Sequence, residues 1–280
     1  MLLIARSGAT TQSGDWIIEG QGMTDTAHSS LIRDQFTRQA TPFSTAAPIA
    51  DAGALTMIVA AAEAGPGDLV LDVACGGGIV VCAFAPHVKH VTGIDMTPAM
   101  LDRARHLAAE KGVANVTWRE GDVTCLPYPD GAFTIVVTRF AMHHFPDPAS
   151  VFREMVRVCA PGGRIVVVDT YVSPDLRQAA EFNRLEKLRD PSHARSLALA
   201  ELQDLFRTAG LPEPRASFYE LRDTVENLLA RSFPSPGDDR KIIDLFSASI
   251  ADDRLGVPVR RDGDKLDYAY PVAILAARRG

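Results

Sequence analysis

Leu69-Val70-Leu71-Asp72-Val73-Ala74-Cys75-Gly76-Gly77-Gly78 is the stretch whose reading decides the fold. An apolar run of this length suits a parallel strand covered on both faces. It stops at a glycine turn, where the lack of Cβ atoms lets backbone approach a ligand. A helix follows, and its first N–H groups point back at the turn. By itself such a turn is compatible with any α/β protein.

Two familiar ligand loops fail on the residues. A dinucleotide fingerprint, G-x-G-x-x-G, needs a third glycine where this chain has Val81. A phosphate-cradling loop needs G-x-x-x-x-G-K-[ST], and Lys89 lies too far along with no Ser or Thr after it. What remains is Asp72-x-Ala74-x-Gly76-x-Gly78. Further along come Val91-Thr92-Gly93-Ile94-Asp95, Glu120-Gly121-Asp122-Val123 with Leu126-Pro127, Arg139-Phe140-Ala141-Met142-His143-His144, and Ala160-Pro161-Gly162-Gly163 before the strand Arg164 to Asp169. In this order the motifs resemble class I S-adenosylmethionine-dependent methyltransferases, in particular the ubiquinone/menaquinone-biosynthesis type. The resemblance covers roughly residues 65 to 170.

It implies an α/β fold: a doubly wound, Rossmann-like, seven-stranded sheet with the last strand antiparallel and inserted beside the sixth. A helical cap is expected over the acceptor site. The expected organisation is an extension at 1–22, an N-terminal helical lid at 23–64 and a cofactor-binding core at 65–172. A cap at 173–198 follows, then the rest of the core at 199–280 with a helical insertion near 223–258. Residues 7–22 have the polar, glycine-rich composition of disordered chain, and Met23 reads like a natural start.

The cofactor implied is S-adenosyl-L-methionine, with S-adenosyl-L-homocysteine as product. Cofactor contacts are expected from Asp72, Ala74, Gly76, Gly78, Asp95, Met96, Asp122, Val123 and Arg139. Asp95 ends the second strand, where a carboxylate can accept both ribose hydroxyls; the alternative is a helix N-cap, which Thr97-Pro98 already supplies. Met96 would lay its thioether on adenine. Asp122 would accept from the adenine amino group beside the Val123 N–H, or would serve its own turn. Three histidines are candidate general bases, His144, His143 and His193, with capping or packing as the competing role. Phe36, Phe43, Tyr171 and Phe182 are candidates for the acceptor pocket or lid, or else core anchors.

Composition narrows the partners. A net charge of −6 argues against nucleic acid, and no run approaches the roughly 18 apolar residues of a membrane span. Cys75, Cys82, Cys125 and Cys159 have no zinc or C-x-x-C spacing, so they read as small buried residues in a reducing, cytoplasmic setting, and no metal is expected. The leading reading is methyl transfer to an O, N or C atom of a small aromatic or heterocyclic metabolite by a monomer or homodimer. Its alternative is a cofactor-binding protein of the same fold with a scaffold or non-transfer role. An RNA or protein methyltransferase is a further alternative, its RNA form disfavoured by the acidic balance and the absent Asn/Asp-Pro-Pro string, and a nicotinamide oxidoreductase is disfavoured by Val81.

Overall fold

Alternation of apolar strand runs with amphipathic helices builds the sheet, and the order of its strands places the site. The structure, a computed structural model, describes residues 27–280, apart from the side chains of Phe43 and Ser44. The expectations for residues 1–22, and the Phe43 side chain, lie outside the described residues. The strands are β1 (Leu69–Val73), β2 (His90–Asp95), β3 (Val116–Glu120), β4 (Phe133–Arg139), β5 (Cys159–Thr170), β6 (Arg215–Thr224), β7 (Val259–Asp262) and β8 (Lys265–Arg278). The helices are α1 (Ala27–Ser44), α2 (Ala52–Ala61), α3 (Ile79–Phe84), α4 (Pro98–Glu110), α5 (Pro148–Val158), α6 (Leu176–Arg189), α7 (Leu199–Thr208), α8 (Val225–Ala230) and α9 (Asp238–Asp252).

The sheet runs β3-β2-β1-β4-β5-β8-β6. β1 pairs in parallel with β2 on one side and β4 on the other, so the order reverses there. In open α/β sheets the crevice outside the carboxyl ends at this reversal is the ligand site. β8 is antiparallel to both β5 and β6, as the sequence predicts for the last strand. One strand was not foreseen: β7 pairs with the start of β8 across Gly263, whose φ is +58°. Asp-Gly between two runs is a hairpin signal, and the polarity of Val259-Arg260-Arg261-Asp262 hides the strand beside it.

Both faces of the sheet are buried. Ile58 of α2, Phe84 of α3 and Phe246 of α9 belong to one core. Phe152 of α5 and Phe206 of α7 belong to the other, with ring centroids 4.7 Å apart. Fully buried Phe side chains contribute roughly 1.5–3 kcal/mol each. The strand expected from Arg164 begins earlier: α5 stops at Val158, and β5 starts at once at Cys159. Gly163 permits this, because a Cβ there would stand 2.7 Å from Cys159 Sγ and 2.9 Å from the Thr134 carbonyl oxygen. Cys125 is exposed rather than buried; all four cysteines are free thiols.

The segment expected to cap the acceptor site forms one helix, α6, which packs on α9. Its Phe182 is 1% exposed and meets Tyr270 edge to face, 4.9 Å between centroids. Of the two segments expected to cover the acceptor site, α1, which lies against α4, contributes Ile32 and Phe36 to the cavity lining, and α6 contributes none.

Two glycines bring the ligand turn close to β3. A Cβ on Gly78 would stand 2.7 Å from Trp118 Cη2 and 2.8 Å from Ala104 Cβ, and its φ of +77° is itself left-handed. Gly93 would meet Trp118 Cζ3 at 2.9 Å and Cys75 Sγ at 2.8 Å. Gly67, by contrast, has nothing within 4 Å of its would-be Cβ. Gly78→Ala is expected to cost about 1–3 kcal/mol of stability, while Gly67→Ala leaves the denaturant midpoint nearly unchanged. Chemical denaturation of the two variants checks this contrast.

Candidate active site

The glycine turn is held from across the crevice by one carboxylate. Asp95 Oδ2 accepts from the Gly76 N–H (2.8 Å) and Asp95 Oδ1 from the Thr97 N–H (2.9 Å). Thr97 stands at the N-cap of α4 without a side-chain hydrogen bond, so it does not supply the side-chain cap that the sequence suggested, and Asp95 holds the Thr97 N–H just ahead of the helix. Each carboxylate oxygen keeps a further lone-pair site, so the ribose reading stays compatible with this geometry. Burial pushes the Asp95 carboxyl above its ordinary value, opposed by the backbone N–H groups of Thr97 and Gly76. The turn itself is tight: Ala74 has φ +57° and Gly76 φ +50°.

The cavity at this point is lined by Asp72, Ala74, Gly76, Gly77, Asp95, Met96, Met100 and Val123. Ile32, Phe36, Ile49, Phe140, His144 and Phe145 belong to the same lining. Two buried groups of opposite charge share the wall. Asp72 is 1% exposed, and its Oδ2 has no hydrogen-bond partner. Burial and the Asp95 charge push its carboxyl well above the ordinary range, with Arg139 opposing. Arg139 donates from Nη1 to the Ile49 carbonyl oxygen (2.8 Å), while its Nε has no partner. An orphaned acceptor and an orphaned donor in one wall fit the ammonium and carboxylate of an amino-acid zwitterion, because unpaired buried groups carry the full desolvation cost. Phe140, at φ +55°, is a bulky residue in the left-handed region. Its ring packs under the Arg139 guanidinium, 4.5 Å from Cζ to the centroid.

Three histidines stack where β4, β5 and the segment after α6 meet. His143 Nδ1 lies 2.6 Å from Asp169 Oδ1. Burial would lower its pKa, but the Asp169 charge and hydrogen bond outweigh that and raise it. The His144 ring is 4.4 Å from that of His143 and 4.9 Å from Phe36, which meets it edge-on. Burial, then the neighbouring His143, lowers the His144 pKa to about 3. His193 is 1% exposed and bonds Asn183 Oδ1 at 2.9 Å. Burial and the other two histidines lower its pKa as well.

Of the three candidate bases, only His144 lines the cavity. His143 stands behind it on Asp169, and His193 is packed against α6. Asp122 and Gly78 are outside the lining too. Asp122 Oδ1 accepts from the Thr124 N–H and hydroxyl, both at 2.8 Å, which is turn chemistry. Tyr171 packs on Phe218, 6.1 Å between centroids, and does not reach the cavity. Ile32, Ile49, Met100, Phe140 and Phe145 were missed, since apolar residues on a helix or loop read as core. Met100 alone had a usable signal, being one turn into the helix that follows Asp95. Among the described residues no group of side chains is arranged to hold a metal, and no helix is long and apolar enough to cross a membrane.

The methyltransferase-domain family model matches residues 71–167. An uncharacterized methyltransferase of Bacillus subtilis, YcgJ, is 30% identical over 79% of this chain and 88% of its own length. Its crystal structure superposes with a TM-score of 0.74 over 81% of this chain and 98% of that one. A putative methyltransferase of Bacillus halodurans gives a TM-score of 0.75 at 28% identity, covering 81% of this chain and 99% of the other. A 2-phytyl-1,4-naphtoquinone methyltransferase of Synechococcus elongatus is 37% identical over 44% of this chain and 55% of its own. With the turn, the strand order and the opposed charges in place, these similarities settle the family: the chain belongs to the class I S-adenosylmethionine-dependent methyltransferases.

Proposed function

We propose that this enzyme methylates a small, largely apolar, ring-containing metabolite held between the cofactor and α1. The observation that carries the reading is the mixed lining of one cavity. Asp72, Asp95 and Arg139 supply polar groups at the glycine turn. Ile32, Phe36, Phe140 and Phe145 supply apolar and aromatic surface in the same lining, with the single imidazole of His144. Flat aromatic walls favour planar guests by offset or edge-on contact. The partial likeness to an enzyme whose name designates a naphtoquinone is consistent with such a guest.

S-adenosylmethionine supplies a methyl group already activated on a sulfonium. The chain's own residues bind and orient. Asp72 and Arg139 would take the zwitterionic end, Asp95 the ribose, and Met96 with Met100 the adenine face. Ile32 and Phe36 would exclude water from above. Holding two reactants in line is worth roughly 7–11 kcal/mol of the barrier, so orientation alone explains most of what the protein must do. Purified enzyme incubated with labelled methyl donor and a panel of phenols, hydroquinones and aliphatic amines tests the reading: methylated ring compounds are expected, and transfer confined to non-ring acceptors would refute it.

Asp95→Ala is expected to weaken S-adenosylhomocysteine binding at least about tenfold, the cost of losing charge-assisted hydrogen bonds, as read by calorimetry. The pH dependence follows from Asp72. An ammonium binds the ionised form of this carboxyl, which burial disfavours, so ligand and proton compete for it. Affinity for S-adenosylhomocysteine should therefore fall as pH drops through the raised Asp72 pKa, with proton release visible in buffers of different ionisation enthalpy. In Asp72→Asn affinity is expected to be lower and that proton release absent.

A further inference from the structure

The segment after α6 reaches the back of His144 through a buried chain of polar groups that the methyl-transfer reading does not use. Asp190, Ser192 and His144 are 1%, 0% and 5% exposed. Ser192 Oγ donates to Asp190 Oδ1 at 2.5 Å, the length of a hydroxyl–carboxylate bond, and the Ser192 N–H donates to the same oxygen at 2.9 Å. Asp190 Oδ2 accepts from Gln39 Nε2 of α1 at 3.3 Å. On the other side, His144 Nδ1 lies 3.2 Å from both the Ser192 carbonyl oxygen and Ser192 Oγ.

These contacts have a single consistent polarity. A carbonyl oxygen only accepts, and the one proton of the Ser192 hydroxyl is committed to the carboxylate. The proton between His144 and Ser192 must then sit on Nδ1. A neutral imidazole carries one proton, so Nε2 is left with a lone pair. Among the described residues Nε2 has no hydrogen-bond partner, and the ring stands in the cavity wall. The ring stays neutral because it is buried against His143.

We propose that Asp190 and Ser192 are positioning residues that lock His144 as the Nδ1–H tautomer, so that the acceptor pocket presents a hydrogen-bond acceptor and selects molecules bearing an O–H or N–H donor. This rests on the methyltransferase reading of the cavity and narrows its substrate class: a phenol, enol or amine N–H fits, and a fully capped ether does not. It also ties the lid to the selection. α1 touches the group at three points: Gln39 on Asp190, the Phe36 ring on His144, and His28 Nε2, which is 2.7 Å from the His144 carbonyl oxygen. Seating of α1 and orientation of the imidazole are therefore one event.

Two-bond proton–nitrogen correlation spectra of the full chain labelled with ¹⁵N-histidine test the proposal, with His144 assigned by its absence in His144→Gln. In the S-adenosylhomocysteine complex of the wild type, Nδ1 is expected to be protonated and Nε2 to be pyridine-like. Ser192→Ala is expected to move both nitrogens toward the tautomer average while S-adenosylhomocysteine affinity stays within about twofold. Phenol added to the wild-type complex is expected to shift Nε2 upfield, and anisole to leave it unmoved. A wild-type Nε2–H tautomer, an unchanged tautomer in folded Ser192→Ala, or an equal response to phenol and anisole overturns the proposal. If the wild type does not bind S-adenosylhomocysteine at all, the cofactor reading fails instead. The wild-type spectrum decides the tautomer even if Ser192→Ala does not fold.

Discussion

One buried carboxylate holds the crevice together. Asp95 joins the end of β2 to the glycine turn after β1 through Gly76, and to the start of α4 through Thr97. Its cost is desolvation of a charge, and its return is two backbone N–H groups satisfied where no strand or helix can satisfy them. The turn it holds contains a left-handed alanine, and close beyond it lies Gly78, which has no room for a Cβ beside Trp118. Such a turn needs a fixed partner on the facing strand. The same carboxylate that steadies the scaffold thereby ends up in the ligand wall, so structural and binding roles cannot be separated at this residue.

The second organising feature is electrostatic division. The carboxyl groups of Asp72 and Asp95 and the Arg139 guanidinium gather at the carboxyl ends of β1, β2 and β4, while the rest of the cavity lining contains one imidazole, aromatic rings and aliphatic chains. Behind that apolar wall the charges are paired and hidden: His143 with Asp169, Glu186 with Arg189 and the Tyr270 hydroxyl, Asp190 with Ser192. Burial and the neighbouring His143 keep the imidazole that faces the cavity neutral. A neutral wall beside a cationic methyl donor avoids like-charge repulsion and leaves orientation as the main contribution of the protein.

Local chemistry made part of this legible. β1 and its turn could be read residue by residue, because apolar runs and glycines are local signals. Asp95, Met96, Val123 and Arg139 were expected from the resemblance that the ordered motifs carry, and all line the cavity. Asp122, after β3, was expected too, yet it lies outside the cavity lining, with its Oδ1 bonded to Thr124. Phe36 and Phe182 were indistinguishable on paper, both aromatics on amphipathic helices. Packing separated them: Phe36 meets His144 at the cavity, and Phe182 meets Tyr270 in the core.

By itself the sequence determined β1 with its glycine turn, and, through the resemblance that the ordered motifs carry, the family, its cofactor and the antiparallel last strand. Only the tertiary structure decided which helix covers the crevice, which of three histidines faces it, and which nitrogen of that histidine carries the proton. Those outcomes depend on contacts between residues far apart in the chain, such as Gln39 with Asp190 and Ser192 with His144. No local periodicity encodes such contacts, since they exist only once α1 and the segment after α6 are packed on the same sheet edge.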